Sequence, residues 1–101
     1  MKYKYEDGNL NINLNEELDM KNCKLLRTVI DGYIMKYQPK ECVLDLSNVE
    51  FMDSSGIGLL IGRYNLLKML DSKMTIINPT SSIKRVLELS NIGKSITMRC
   101  E

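Results

Sequence analysis

Polar and apolar residues alternate strictly near the start of this chain. Leu10, Ile12 and Leu14 point one way and Asn9, Asn11 and Asn13 the other, so residues Asn9 to Asn15 read as a strand with one buried and one wet face. Lys2 to Glu6 form a second segment. Asp7-Gly8 between the two is the dipeptide of a tight hairpin, whose central residues both need positive φ. The period then lengthens. Cys23, Leu26, Ile30, Tyr33 and Tyr37 recur at helical spacing, with Leu25, Val29 and Ile34 broadening the stripe. A helix is predicted from Leu18 to about Tyr37, capped by Asp19 and ended by Gln38-Pro39. Glu41 to Ser47 reads as a buried strand through Val43, Leu44 and Leu46, and Ser55 to Leu70 as a second helix. Lys73 to Asn78 is a strand entered through Asp71-Ser72 and broken by Pro79. Thr80-Ser81-Ser82 can cap a third helix carrying Ile83, Val86, Leu87 and Leu89. Asn91-Ile92-Gly93 ends that helix, and Ser95 to Arg99 form a last strand.

The order β-β-α-β-α-β-α-β predicts an α/β fold, a mixed sheet packed with helices whose strands run mostly parallel after the hairpin. At 101 residues, taken as one domain over 1–101, the chain can bury one core but not two. A hydrophobic fraction of 44% and a charged fraction of 27% are ordinary for a globular protein. The seven methionines read mostly as core filler, with any exposed ones able to grip a partner, though the sequence does not say which.

Charge and residue content remove several functions. With 14 basic and 13 acidic residues the net charge is +1, which argues against nucleic acid as a partner. No apolar run approaches a membrane span, and Met1 to Tyr5 lack a signal-peptide core, so a cytoplasmic location without membrane attachment is expected. There is no histidine, and Cys23, Cys42 and Cys100 form no close pair. Cys/His zinc sites and Ser-His-Asp triads are thereby excluded, and reduced, buried thiols are expected.

The densest chemistry lies in Phe51-Met52-Asp53-Ser54-Ser55-Gly56-Ile57-Gly58, where a strand region gives way to a helix. A hydroxyl there sits beside unpaired N–H groups and the positive end of a helix dipole, a setting that welcomes an added phosphate. Asp and Ser are also ordinary N-caps, so the same residues are explained without function. No base is placed to make Ser54 or Ser55 a nucleophile; the serine is one that is acted upon, and no enzyme activity or cofactor is expected. Gly56, Gly58 and Gly62 admit a dinucleotide site, but close packing of helix on sheet accounts for Gly58 and Gly62 in so short a chain. Gly56 would leave N–H groups open beside Ser54. Arg63, Lys84 and Arg85 read as solvated helix-face charges that can also meet an acidic partner.

That segment, followed by Gly62-Arg63-Tyr64, closely resembles the signature of anti-sigma-factor antagonists, single-domain proteins of the STAS family. Asp45 to Val49, Glu17-Leu18-Asp19, Ile83 to Leu87 and Ser90-Asn91-Ile92 are similar to further family segments, so the resemblance spans roughly residues 9 to 99 and is strongest over 44–64. Two features depart from the pattern. Glu16 stands where a glycine usually precedes Glu-Leu-Asp, and the usual C-terminal helix has no counterpart in the sequence.

The resemblance implies a protein–protein switch and no enzyme. Unphosphorylated, the domain would bind an anti-sigma factor that is a serine kinase and so free a sigma factor; phosphorylation at Ser54 would switch it off, and a serine phosphatase would reset it. Asp19, Asp53, Ser54, Ser55, Gly56, Ile57 and Arg63 are the implied partner-binding positions, with Asp19 equally readable as a helix cap. Two rivals remain at this stage: a STAS scaffold or transport-associated module that is never phosphorylated, and a small nucleotide-binding protein.

Overall fold

The computed structural model describes residues 1–90 and 94–101; the predicted helix end at Asn91-Ile92-Gly93 lies outside them. Five strands, β1 (Lys2–Glu6), β2 (Asn9–Asn13), β3 (Glu41–Asp45), β4 (Lys73–Ile77) and β5 (Thr97–Arg99), alternate after the hairpin with three helices. These are α1 (Met20–Tyr37), α2 (Ser54–Met69) and α3 (Ser81–Leu89). The strands lie side by side in chain order. β1 is antiparallel to β2 and every later pair is parallel. Asp7 (φ 53°) and Gly8 (φ 83°) supply the left-handed backbone that the hairpin requires.

Because each crossover steps to the next strand in the same direction, right-handed connections bring all three helices to one face of the sheet. Register shows which face. Leu10, Cys42 and Met74 form one cross-strand row, and Ile12, Leu44, Ile76 and Met98 the next. These rows meet Cys23, Leu26, Ile30 and Ile34 of α1, Leu59, Leu60 and Leu67 of α2, and Ile83 and Leu87 of α3 in one core. The opposite face carries Asn9, Asn11, Asn13, Glu41 and Lys73. At the edge, Tyr3 stacks on Tyr33 with ring centres 3.9 Å apart and Tyr5 on Tyr37 at 4.5 Å, fastening β1 to the second half of α1.

Several boundaries differ from the sequence expectation. β3 stops at Asp45 because the Asp45 carboxylate accepts the Ser47 N–H at 2.9 Å and turns the chain. Leu25 (68% exposed), Val86 (38%) and Leu89 (82%) lie outside the core. Each helix touches the sheet with a narrower stripe than its apolar residues suggest. Cys100, just past the short edge strand β5, is exposed, against the expectation of buried thiols; Cys23 and Cys42 are buried, and burial pushes the Cys42 thiol up to about 12. Among the described residues, no helix is long and apolar enough to cross a membrane.

The two leucine environments give a test. Leu44→Ala, on the fully covered central strand, should cost about 2–5 kcal/mol in denaturant unfolding, whereas Leu89→Ala should stay within about 0.5 kcal/mol of the parent.

Candidate functional site

Two loops meet where β2 and β3 deliver the chain to their helices. Leu18 donates its N–H to the Phe51 carbonyl at 2.9 Å, and Asp53 donates to the Leu18 carbonyl at 3.2 Å. Leu18 and Met52 thus form an isolated parallel bridge beyond the sheet. The residue after each half of that bridge is a helix cap. Asp19 Oδ1 accepts the Asn22 N–H at 2.9 Å and starts α1; Asp53 Oδ1 accepts the Ser55 N–H at 2.7 Å and starts α2. Both N-termini, with both carboxylates, are therefore held on the same edge of the molecule.

The bridge depends on a glycine. A Cβ at Gly56 would run into Met52 Cγ and lie 2.9 Å from Leu18 Cβ, so no larger residue fits without moving the loops. Gly56 is buried and shapes the surface from beneath; it offers a partner no side chain. Nor does it leave several N–H groups open beside Ser54, as its place in the first turn suggested. Asp53 accepts from Ser55 through its carboxylate and from Gly56 (3.0 Å) and Ile57 (3.4 Å) through its carbonyl. The Ser54 N–H alone in this turn is left without a protein partner among the described residues.

Ser54 is exposed at the first helical position, while Ser55 and Ile57 are half-buried. Phe51 (49% exposed) and Met20 (74%) flank the junction with apolar surface. Neither stood out as a contact position in the sequence, because their exposure depends on the bridge between two loops far apart in the chain. Cys23 lies beneath, its thiol pushed up by burial and by the carboxylates of Asp53 and Asp19, and so stays protonated. Glu16 holds the Met1 ammonium at 2.8 Å and accepts the Asn15 N–H at 3.0 Å, so it ties down the turn before α1.

Arg63 is a correction. Its side chain is not a solvated charge; it is 5% exposed, packed between α1 and α2. Nε approaches Asp31 Oδ1 to 2.7 Å, and Nη1 donates to the Leu59 carbonyl at 3.3 Å. The Nε–H is not aligned on the carboxylate for a hydrogen bond, so contact electrostatics carries the link to Asp31. Burial lowers the guanidinium's affinity for its proton, with Asp31 opposing and Arg27 reinforcing the effect. A partner of Asp31 32 positions away cannot be read from a helix periodicity.

Close packing also fails to explain Gly58 and Gly62. Nothing lies within 4 Å of a Cβ built on either. They leave a groove of about 550 Å³ between α1 and α2, lined by Met20, Lys24, Arg27, Ser55, Leu59 and Arg63 among others.

The family described as STAS domain matches residues 1–100. An anti-sigma F factor antagonist of Paenibacillus polymyxa is 34% identical over 87 residues, 86% of this chain and 74% of that protein. Among solved structures, unphosphorylated SpoIIAA, named as an anti-sigma factor antagonist, superposes with a TM-score of 0.82 at 24% identity, covering 96% of this chain and 85% of that one. The phosphorylated form of the Bacillus cell fate determinant SpoIIAA gives 0.76 at 24% identity, over 96% and 88%.

The glycines of α2 should respond to alanine with opposite signs. Gly56→Ala should destabilise by about 1–3 kcal/mol despite alanine's better helix propensity, the cost of overpacking. Gly58→Ala should stabilise by up to about 1 kcal/mol, since mid-helix glycine carries that entropic cost and gains no contact here. Thermal or chemical unfolding of the pair checks both signs.

Proposed function

The chain belongs to the STAS domain family, and from that premise we propose that it is an anti-sigma factor antagonist whose unphosphorylated form binds a serine-kinase anti-sigma factor. Binding frees a sigma factor, and phosphorylation of Ser54 by the bound kinase ends it. STAS antagonists of this kind are regulatory proteins and not enzymes. A serine phosphatase restores the binding form, and the exchange takes place in the cytoplasm.

The observation that carries this reading is the state of the first turn of α2. Its cap is already filled by Asp53, so a phosphate on Ser54 gains the helix dipole and one free N–H but faces a carboxylate one residue away. Its charge of about −1.5 to −2 is therefore not absorbed by the fold and is presented outward, beside Asp19 and the exposed Phe51 and Met20. A partner surface seated there would meet a new like charge or a desolvated dianion. SpoIIAA, which shares this fold, has been solved in an unphosphorylated and a phosphorylated form; the assignment of the acceptor to Ser54 rests on the signature resemblance and on the exposure of that serine.

Incubation with the cognate kinase and ATP should add one phosphoryl group, located at Ser54 by peptide mass spectrometry; label on Ser55, Ser81 or Ser82 would defeat the assignment. Ser54→Ala should bind the kinase like the parent, while Ser54→Asp should bind at least about tenfold more weakly, or 1.4 kcal/mol. Equal affinities for the two variants would remove the charge switch.

Asp19 separates cap from contact. Asn caps about as well as Asp, so Asp19→Asn should leave the melting temperature nearly unchanged. If the charge meets a cation on the kinase, binding should still weaken by about 1.5–3 kcal/mol. Calorimetry showing unchanged affinity would reduce Asp19 to a cap.

A further inference from the structure

No described residue fills the groove between α1 and α2. Its floor is opened by Gly58 and Gly62, one turn apart, with space above both. Its lining is cationic: it carries Lys24, Arg27 and Arg63, and the one carboxylate within α1 and α2, Asp31, is already paired with Arg63, while the caps Asp19 and Asp53 adjoin the end at Met20 and Ser55. Arg63, 5% exposed as a residue, lines the groove. Nη1 donates to the Leu59 carbonyl, Nε abuts the Asp31 carboxylate without an aligned hydrogen bond, and Nη2 has no protein partner among the described residues. A nearly buried guanidinium with a free edge is a strong anion anchor, because little water competes for it.

Lys24 and Arg27 stand three residues apart on α1, so their side chains project as neighbours along one rim. The lining from Ser55 to Arg63 runs along more than two turns of α2, about 12 Å at 1.5 Å per residue. Leu59 lies between Ser55 and Arg63 on α2, and Met20 stands one turn before Lys24 on α1; both add apolar lining. A small anion would satisfy one end of such a trough and leave the apolar floor and the other rim unused.

We propose that this groove docks an acidic amphipathic segment of a protein partner, its backbone drawn close over Gly58 and Gly62. Carboxylates one helical turn apart face Lys24 and Arg27, a third reaches the free edge of Arg63, and apolar residues rest on Met20 and Leu59. This docking requires neither phosphorylation of Ser54 nor the contact proposed at Asp19, so it stands or falls separately from them.

The test is a panning experiment on the full chain with phage-displayed random peptides of about 16 residues, four to five helical turns. An unrelated protein is panned in parallel, and enriched peptides are synthesised and titrated by fluorescence anisotropy. Enriched sequences should carry Asp or Glu at three- or four-residue spacing with apolar residues between. Their affinity should drop at least about tenfold on Lys24→Glu/Arg27→Glu and on Gly58→Leu, and should weaken as salt rises. Gly58→Leu should melt no lower than the parent; if it does not fold, the charge-reversed variant decides alone. Enrichment no better than on the unrelated protein, neutral or basic winners, or affinities unchanged by the charge reversal would overturn the proposal. So would inorganic phosphate that shifts the Lys24, Arg27 and Arg63 NMR signals while no enriched peptide competes with it, which would make the groove a small-anion site.

Discussion

Two hydrogen bonds outside the sheet, Leu18 N–H to Phe51 and Asp53 N–H to Leu18, hold together the edge that carries Asp19 and Ser54. They couple loops more than thirty residues apart and place one capped helix N-terminus beside another. Gly56 makes the coupling possible, because any side chain there would separate Met52 from Leu18. The sheet itself fixes only where the loops begin. Parallel pairing of β2 with β3, with Asn13 opposite Asp45, brings both strands to the same end before the bridge continues the pattern by one residue pair.

The bridge also decides how charge behaves at this edge. With Asp53 serving as cap, its carboxylate and carbonyl occupy three of the N–H groups that would otherwise welcome an anion. Ser54 is left exposed on a turn that is already electrostatically satisfied. Charge added to such a residue perturbs whatever sits above it more than it perturbs the fold. The groove alongside obeys a different rule: it is cationic, opened by two glycines, and floored by a guanidinium that the chain only partly engages.

Local chemistry was legible in the sequence and tertiary partnership was not. Asp7-Gly8, the caps Asp19, Asp53 and Thr80, and the alternation of β2 act over a few residues and appear where they were expected. Leu25, Val86 and Leu89 are apolar at helical spacing yet exposed, because periodicity does not reveal how wide a stripe the sheet can cover. Arg63 looked like a surface charge until α1 brought Asp31 against it. The three glycines of α2 carry the same letter with unlike reasons: Gly56 fits a place with no room, while Gly58 and Gly62 border open space. No pattern within one helix distinguishes these, since the difference lies in what stands opposite. Met20 and Phe51 escaped notice for the same reason.

If Ser54 acts by charge on a rigid edge, phosphorylation should leave the edge itself in place. Backbone chemical shifts of the phosphorylated and unphosphorylated protein, recorded on the same sample before and after kinase treatment, measure this directly. Changes confined to the first turn of α2 and the adjoining residues around Leu18 and Asp19, with the sheet and the body of α1 unmoved, are what a saturated cap and an intact bridge require. Changes spreading through α1 and the strands would mean that the phosphate breaks the Leu18–Met52 bridge, and that the switch works by conformation rather than by charge.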